Sequence, residues 1–272
     1  MSLRPLTLVT GASSGIGAAL AEVFANNGHD LALVARRASQ LNGLADRLAR
    51  EGRKRPLVVV ADLLQPNAGD VIDAELKRNG YEVQYLVNNA GIGAYGYAAD
   101  MAPDVRQSII GLNVKAPTAL TLRWIDPIVR HRGGILNVAS TAAFFPRPGM
   151  AMYHATKAYM LSLSEALHNE LANDGVRVCA LCPGPVLTEF FSSAGTTPSI
   201  FPSFLYRSPE RVAREGYDGL MAGRTIVIPG FANKVLCQLP RLLPRGIVQR
   251  LLAPRAIDSE KNKSISREGS SP

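Results

Sequence analysis

A tyrosine and a lysine four residues apart are the pair of side chains in this sequence that first suggests chemistry. Tyr153 and Lys157 lie in a stretch with apolar residues at three- and four-residue spacing, so a helix would present both on one face. A tyrosine with a pKa of about 10 is a weak acid–base group near pH 7 unless its pKa falls by about 3 units, or roughly 4 kcal/mol. A lysine charge about 4 Å away contributes about 4 kcal/mol at an effective dielectric constant of ~20. The pair therefore predicts proton transfer, although Tyr-x-x-x-Lys alone also occurs by chance.

A glycine-rich turn near the beginning of the chain predicts a phosphate-binding site. The turn is Thr10-Gly11-Ala12-Ser13-Ser14-Gly15-Ile16-Gly17, between an apolar run and a helical pattern. Its glycines let the turn close and let backbone N–H groups at the start of a helix approach a pyrophosphate. The spacing is G-x-x-x-G-x-G and differs from the G-x-G-x-x-G dinucleotide fingerprint. The predicted contacts to a nucleotide are Gly11, Ser13, Ser14, Gly15, Ile16 and Gly17.

Seven short apolar runs alternate with helical patterns and must position these residues. The runs are rich in β-branched residues and leucine without polar alternation, as expected for parallel strands covered on both faces. They are Leu6–Thr10, Leu31–Ala35, Leu57–Ala61, Gln84–Asn88, Gly134–Ala139, Val176–Cys182 and Thr225–Ile228. The helical patterns are at about 15–27, 39–51, 66–79, 103–131, 151–174 and 209–222. This order predicts an α/β fold with a doubly wound seven-stranded parallel sheet, the Rossmann fold.

The domain organisation is predicted to be simple. No internal repeat or change of composition divides the chain before about residue 188, so we expect one catalytic domain over residues 1–231. Residues 232–256 form a basic amphipathic segment, in which Pro240 and Pro244 predict two or three short helices instead of one. The Ser-, Gly- and Glu-rich residues 257–272 are predicted to be a disordered tail.

Composition and charge exclude several classes of protein. The net charge is +8, but residues 232–256 contain five basic residues and no acidic one, so the nearly neutral body is not expected to bind nucleic acid. No apolar run is long enough to span a bilayer, and the first residues lead directly into a strand, which leaves no room for a signal peptide. Three cysteines and four scattered histidines predict neither a disulfide framework nor a metal site. We therefore expect a soluble protein in the reducing cytoplasm.

Further motifs, all in order along the chain, resemble those of the short-chain dehydrogenase/reductase family. After the Thr10–Gly17 turn come Asn88-Asn89-Ala90-Gly91, Asn113, Ser140, Tyr153-His154-Ala155-Thr156-Lys157 and Pro183-Gly184-Pro185-Val186-Leu187-Thr188. The resemblance covers residues 6–230. It implies a nicotinamide-dependent oxidoreductase that assembles as a homodimer or homotetramer.

The resemblance also implies four catalytic residues: Asn113, Ser140, Tyr153 and Lys157. Tyr153 would donate a proton to a carbonyl oxygen, and Lys157 would lower the pKa of Tyr153 and hold the nicotinamide ribose. Ser140, at the end of the fifth strand, can hydrogen-bond the substrate oxygen as charge develops on it. Asn113 would take part in a water-mediated proton relay to Lys157. The remaining cofactor contacts implied by the family are Asp62, Leu63, Asn89, Ala90, Gly91, Pro183, Gly184, Val186 and Thr188, with Tyr153 and Lys157 themselves.

The end of the second strand predicts which nicotinamide cofactor binds. Family members that use NAD carry an aspartate where this chain has Ala35, and Arg36 and Arg37 follow. An acid at this place binds the ribose hydroxyls, whereas an arginine accommodates a 2′-phosphate. We therefore predict NADP(H). The alternative is that both arginines belong to a solvated turn.

Aromatic residues are concentrated in the loops where a substrate would lie. Nine of the sixteen Phe and Tyr residues follow the fourth, fifth and sixth strands, at Tyr95, Tyr97, Phe144, Phe145, Phe190, Phe191, Phe201, Phe204 and Tyr206. The segment Glu189–Tyr206 contains no basic residue that would hold an anionic substrate. A small apolar carbonyl substrate is favoured: a ketone, an aldehyde or a 3-oxoacyl compound. Alternatively, the aromatics pack on the scaffold or on another subunit.

Two other functions remain open from the sequence. One is an NADP(H)-binding sensor without turnover, which the intact set of four catalytic residues disfavours. The other is a membrane-peripheral protein, because residues 232–256 can lie on an anionic membrane surface. For this segment we favour packing on the body of the protein over membrane contact. We hypothesise that it packs beside residues 189–206 and completes an apolar pocket.

Overall fold

Seven strands form one parallel sheet in the part of the chain that the computed structural model describes, residues 3–195, 202–242, 244 and 246. The order across the sheet is β3-β2-β1-β4-β5-β6-β7. The strands are β1 (Arg4–Thr10), β2 (Leu31–Ala35), β3 (Leu57–Val60), β4 (Tyr81–Asn88), β5 (Gly134–Val138), β6 (Arg177–Leu181) and β7 (Ile226–Val227). The predicted doubly wound sheet is confirmed.

Ten α-helices cover the sheet within the same residues. They are α1 (Gly15–Asn26), α2 (Ala38–Arg50), α3 (Ala68–Arg78), α4 (Pro103–Ile110), α5 (Ala116–Arg123), α6 (Ile125–Arg130), α7 (Ala151–Glu170), α8 (Phe190–Ser193), α9 (Pro209–Met221) and α10 (Phe231–Leu242). Across these described ranges, no helix combines the length and the apolar character that a bilayer crossing requires.

Both faces of the sheet carry a hydrophobic core, because successive strand residues point to opposite sides. Val9 of β1 packs in the core beneath α1, α2 and α9. Phe24 of α1 is the largest fully buried side chain of this core. Leu8, its neighbour in the strand, packs in the opposite core with Trp124 and Ile128. Burial on both faces explains why the strands read as continuous apolar runs in the sequence.

The continuous helical pattern predicted at about 103–131 is divided in the structure. Residues 103–131 form three helices, and a π-helical turn at Gly111–Lys115 separates α4 from α5. Pro117 has no N–H to donate to the carbonyl of Asn113 four residues earlier, so the α-helical pattern of hydrogen bonds is interrupted there and the turn widens. The widened turn carries Asn113, one of the predicted catalytic residues.

The C-terminal segment also differs from its prediction. Helix α10 continues through Pro240 to Leu242, where a break was expected. Pro240 lies in the last turn of the helix, and the helix ends two residues after it. Residues 243, 245 and 247–272, which include most of the predicted later helices and the tail, lie outside the described residues.

The order of the strands reverses between β1 and β4, which are hydrogen-bonded neighbours although three helices separate them in sequence. The chain moves from β1 outwards to β3, then returns to β4 and continues to β7. In open α/β sheets the crevice at the carboxyl ends of the strands on either side of such a reversal is where ligands bind. The fold thus places the glycine-rich turn after β1 beside the Asn88–Gly91 segment at the end of β4.

Candidate active site

A cavity of about 590 Å³ lies at this reversal, within the usual size range of ligand sites. The loops that follow the first six strands form most of its wall, and α4, the π-helical turn and α7 contribute the rest. Every predicted site residue except Asn113 lines it. These residues are Gly11, Ser13, Ser14, Gly15, Ile16, Gly17, Arg36, Arg37, Asp62, Leu63, Asn89, Ala90, Gly91, Ser140, Tyr153, Lys157, Pro183, Gly184, Val186 and Thr188.

The glycine-rich turn is packed tightly against the loop after β4. The Asn89 side-chain amide donates to the carbonyl oxygens of Thr10 (2.9 Å) and Gly11 (3.2 Å). A Cβ atom on Gly17 would lie 2.3 Å from both Asn89 Nδ2 and the Gly11 oxygen. Gly11 itself has a φ of 64°, a conformation that side chains disfavour. Two of the three glycines are therefore required by the close approach of turn and loop.

The start of α1 is built to hold an anion. The helix begins at Gly15, and its N-cap residue, Ser14, makes no side-chain capping hydrogen bond. No acidic residue occurs in the first turn, and Gly15, Ile16 and Gly17 all face the cavity. The N–H groups of a first helical turn have no partner inside the helix, and the helix dipole favours negative charge beside them. These donors fit the pyrophosphate of a dinucleotide.

Arg37 connects the glycine-rich turn to the loop after β6. Its guanidinium donates to Ser13 Oγ (2.9 Å) and Ser14 Oγ (2.7 Å), and it forms an ion pair with Glu189 at 2.8 Å. Hydrogen bonds from Arg37 and Ser14, together with the positive charge of Arg37, lower the pKa of the Glu189 carboxyl. Arg36 is exposed. Glu189 was missed in the sequence, where 151 residues separate it from its partner.

Tyr153 and Lys157 share one face of α7, as their spacing predicted. Lys157 Nζ donates to the carbonyl oxygen of Val138 (2.7 Å) and lies 5.6 Å from the centre of the Tyr153 ring. Burial lowers the pKa of Lys157 to about 8. Burial also raises the pKa of Tyr153 to about 12, against a hydrogen bond with Ser140 that lowers it. The sequence predicted the opposite, a Tyr153 pKa that Lys157 lowers. In the structure the Lys157 nitrogen is hydrogen-bonded to the Val138 carbonyl and lies beside the Tyr153 ring.

Three contacts hold the Ser140 hydroxyl, one of which is a long hydrogen bond that it donates to the Pro183 carbonyl (3.5 Å). The Ser140 oxygen accepts a hydrogen bond from the backbone N–H of Ala142 (3.1 Å), which begins a 3₁₀ turn at Thr141–Phe144. The hydroxyl also hydrogen-bonds to Tyr153. The end of β5 and the start of α7 are thereby joined at the two side chains that would meet a substrate oxygen.

Asn113 lies behind the cavity and does not line it. Its side-chain oxygen accepts from the Ile92 N–H (2.9 Å), while its amide donates to the Ile92 carbonyl (2.8 Å) and to Thr156 Oγ1 (3.1 Å). A Cβ atom on Gly91 would lie 3.2 Å from Asn113 Oδ1 and 3.5 Å from Lys157 Nζ, so both groups border the same glycine. Asn113 therefore holds the loop after β4 against α7, and its proton relay stays a prediction.

The aromatic loops contribute less of the wall than the sequence suggested. Phe145, Phe190 and Phe191 line the cavity, and the Phe190 ring centre lies 5.3 Å from that of Tyr153. The other described aromatics of these loops lie outside the wall, and Phe204 is 63% exposed. Phe201 lies outside the described residues.

Arg147, Met150 and His154 are among the further residues of the wall that the sequence did not identify as site residues. Arg147 and Met150 belong to the segment between Ser140 and Tyr153, and His154 follows Tyr153 in α7. The Pro148-Gly149 dipeptide, typical of a tight turn, was the available signal for a fixed loop here.

Helix α10 packs beside the loop after β6, as hypothesised, but its described residues do not line the cavity. The Asn233 amide is fully buried and donates to the Leu205 carbonyl (3.1 Å). A Cβ atom on Gly184 would lie 2.5 Å from this amide. The hypothesis that the segment completes the pocket therefore stays untested for the residues whose side chains lie outside the description.

The comparisons with known proteins agree with this geometry. A family model described as short chain dehydrogenase matches residues 5–198. A short chain dehydrogenase of Pseudocercospora fijiensis is 36% identical over 67% of this chain, and the match spans 60% of that relative.

Two solved structures are similar over most of the chain. One is a short-chain dehydrogenase from Sphingobium yanoikuyae in complex with NADPH, 33% identical, with a TM-score of 0.78 over 93% of this chain and 97% of the other. The other is a 3-ketoacyl-(acyl-carrier-protein) reductase from Brucella melitensis complexed with NADH, 31% identical, with a TM-score of 0.72 over 84% and 98%. The two similar structures hold different nicotinamide cofactors.

Proposed function

The chain belongs to the short-chain dehydrogenase/reductase family of oxidoreductases, and we propose that it reduces a carbonyl compound to an alcohol with NADPH. The observation that carries this proposal is the single cavity that brings Ser140, Tyr153 and Lys157 together with the glycine-rich turn. NADPH, when bound, supplies the hydride. The roles of the chain's own residues follow from their positions.

Tyr153 is the proton donor in this proposal. Its hydroxyl is hydrogen-bonded to Ser140, so a carbonyl oxygen that contacts one of them meets the other. Ser140 donates a hydrogen bond as negative charge develops on that oxygen, and Tyr153 transfers its proton to it. The buried Lys157, one turn away, supports the tyrosinate that remains when it carries its proton. Asn113 holds this arrangement through Ile92.

The preference for NADPH over NADH is supported by charge at the end of β2. Ala35 offers no carboxylate to ribose hydroxyls, and Arg36 and Arg37 stand beside it. Arg37 already contacts both serines of the turn, which places its charge within the nucleotide half of the cavity. Its ion pair with Glu189 is solvent-exposed, and such pairs contribute about 0.2–1 kcal/mol. Exchange of this carboxylate for a 2′-phosphate therefore costs little.

The substrate we propose is a small carbonyl compound with an apolar body, since Phe145, Phe190 and Phe191 face the cavity beside Tyr153. Family resemblance extends the proposal to a homodimer or homotetramer, which the molar mass in solution tests. A cytoplasmic location remains part of the same proposal.

The test is NADPH oxidation by the purified protein with a panel of apolar ketones, aldehydes and 3-oxoacyl thioesters. We expect carbonyl-dependent oxidation of NADPH, slower oxidation of NADH, and the corresponding alcohol as product. NADPH binding without oxidation by any member of the panel would contradict the proposal and favour a cofactor sensor.

A further inference from the structure

Helix α10 packs on the body of the protein with only one of its sides. Asn233 and Cys237, four residues apart, are fully buried on that side. Phe231, Val235 and Leu239 repeat at the same spacing on another side, and their exposed fractions are 80%, 46% and 44%. Residues four apart lie above one another on a helix, so these three side chains form a continuous apolar stripe towards solvent. We call it the α10 stripe.

A groove of about 470 Å³ beside α10 extends this apolar surface. The helix contributes Val235 and Leu239 to its lining, and the neighbouring elements contribute Phe144 of the 3₁₀ turn with Ile226 and Ile228 at the edge of the sheet. No acidic side chain is among the described residues that line the groove. Contiguous exposed apolar surface of this kind marks a site of interaction.

The charge of this part of the chain has one sign. No acidic residue occurs between Asp218 and Asp258. The same interval contains six basic residues, which account for most of the net charge of +8: Arg224, Lys234, Arg241, Arg245, Arg250 and Arg255. Lys234 is exposed on α10 and borders the groove. An apolar helix face combined with unbalanced positive charge complements a lipid surface, in which anionic headgroups cover an apolar interior.

The same charge disfavours a second copy of the chain as the occupant of this face. In a two-fold symmetric dimer the same patch of both subunits meets at the axis. The α10 stripe of one subunit would then face that of the other, and the basic residues of both would be brought together without an acidic partner from this segment. Anionic lipids instead attract each lysine or arginine that comes near them.

We propose that the α10 stripe binds the protein to an anionic membrane surface. Phe231, the most exposed of its side chains, enters the apolar layer beneath the headgroups, and Lys234 contacts the anionic headgroups themselves. Val235 and Leu239 follow Phe231 along the stripe and bury further apolar surface in the lipid. This interaction is separate from the proposed reaction, because the described side chains of α10 do not line the catalytic cavity.

The test is flotation of the purified protein with lipid vesicles in a density gradient. One set of vesicles contains phosphatidylcholine alone, and the other contains equal parts of phosphatidylcholine and phosphatidylserine. We expect binding to the mixed vesicles to be about tenfold or more stronger than binding to the neutral ones, and added salt to weaken it.

Substitutions in α10 separate the apolar and the charged contributions. Phe231→Ser combined with Val235→Ser should lower the partition coefficient about tenfold or more, because two apolar side chains no longer enter the lipid. Lys234→Gln should lower it by about fivefold. Val71→Ser is the matched control, since this valine of α3 is 42% exposed and lies on another helix, and it should float like the wild type. The substituted side chains are exposed, so NADPH binding and the unfolding temperature should stay near wild-type values.

Absence of flotation with the mixed vesicles would overturn the docking surface. Equal flotation with neutral vesicles would do the same, as would flotation that the double substitution reduces no more than Val71→Ser does. If the wild type does not float and the double substitution lowers the molar mass in solution, the α10 stripe is a contact between subunits and the proposal is wrong.

Discussion

The two ends of the cavity are built by different means. At the nucleotide end, the site consists mainly of backbone: the glycine-rich turn and the N–H groups at the start of α1. The Asn89 side-chain amide holds this turn by hydrogen bonds to two of its backbone carbonyls. At the reaction end, side chains from three separate segments converge: Ser140 after β5, Tyr153 on α7 and Phe190 after β6. The first depends on backbone conformation and tolerates no added atoms, whereas the second depends on the chemistry of a few side chains. Substitutions should therefore fail differently at the two ends.

The largest effect is expected from Tyr153→Phe at the reaction end. The substitution removes the hydroxyl that donates the proton and leaves the ring that packs against Phe190. Turnover should fall by about 10²–10⁴-fold, the usual contribution of a positioned acid, while the NADPH dissociation constant and the unfolding temperature stay near wild-type values. Steady-state kinetics and fluorescence titration with NADPH measure these quantities. Substantial activity in this variant would move the proton transfer to another residue.

The buried Lys157 should give the protein a pH-dependent stability. Its pKa is about 8 in the folded state and 10.5 in the unfolded state, so the unfolded state binds more protons between these values and stability rises with pH there. Lys157→Met should therefore be more stable than wild type by about 3 kcal/mol below pH 8, with the difference vanishing towards pH 10.5. Urea unfolding at several pH values checks this.

Lys115→Met, an exposed lysine in the π-helical turn, is the control and should show no such trend. A constant difference between Lys157→Met and wild type across the whole pH range would mean that burial does not lower the pKa of Lys157.

Gly17→Ala tests the nucleotide end, where the space around the backbone of the turn limits which residues fit. The added Cβ would meet the Gly11 oxygen and the Asn89 amide at 2.3 Å, so the turn must move. We expect a loss of about 1–3 kcal/mol of stability from overpacking, with much weaker NADPH binding. Gly43→Ala in α2 is the matched control: no atom lies within 4 Å of its Cβ, and it should stabilise the helix by about 0.5–1 kcal/mol. Tight NADPH binding by Gly17→Ala would show that the turn adapts.

The smallest effect is expected at the edge of the nucleotide end, where the side chains are exposed. Ala35→Asp combined with Arg36→Gln adds a partner for ribose hydroxyls and removes one charge. Preference should shift towards NADH by about tenfold, or 1.4 kcal/mol, and the shift should shrink as salt increases. Dissociation constants for both cofactors at two salt concentrations measure it. A wild-type protein that binds NADH as tightly as NADPH would contradict the NADP(H) prediction itself.

Much of the nucleotide end was predictable because its determinants are local. The apolar runs identified all seven strands, and the glycine spacing of Thr10–Gly17 placed the turn between β1 and α1. Helical spacing brought Tyr153 and Lys157 to one face, since a periodicity of 3.6 residues depends only on the backbone. Local patterns of this kind need no knowledge of what packs around them.

Other features depended on distant parts of the chain. The sequence predicts a role for Asn113 in a proton relay, but only the structure shows that the π-helical turn directs its side-chain amide to Ile92. Glu189 and Arg37 form an ion pair across the cavity that their separation in sequence concealed. The Pro148-Gly149 turn was legible as a turn, but only the packed loops show that it carries Arg147 into the wall.

The sequence by itself therefore determined the sheet, the phosphate-binding turn and the types of residue available for proton transfer. The tertiary structure alone decided the pKa values of these residues and which of them share a cavity. Burial raises the pKa of Tyr153 and lowers that of Lys157, in both cases favouring the uncharged form. Desolvation depends on every element that excludes water from a group, and no short segment of sequence records it.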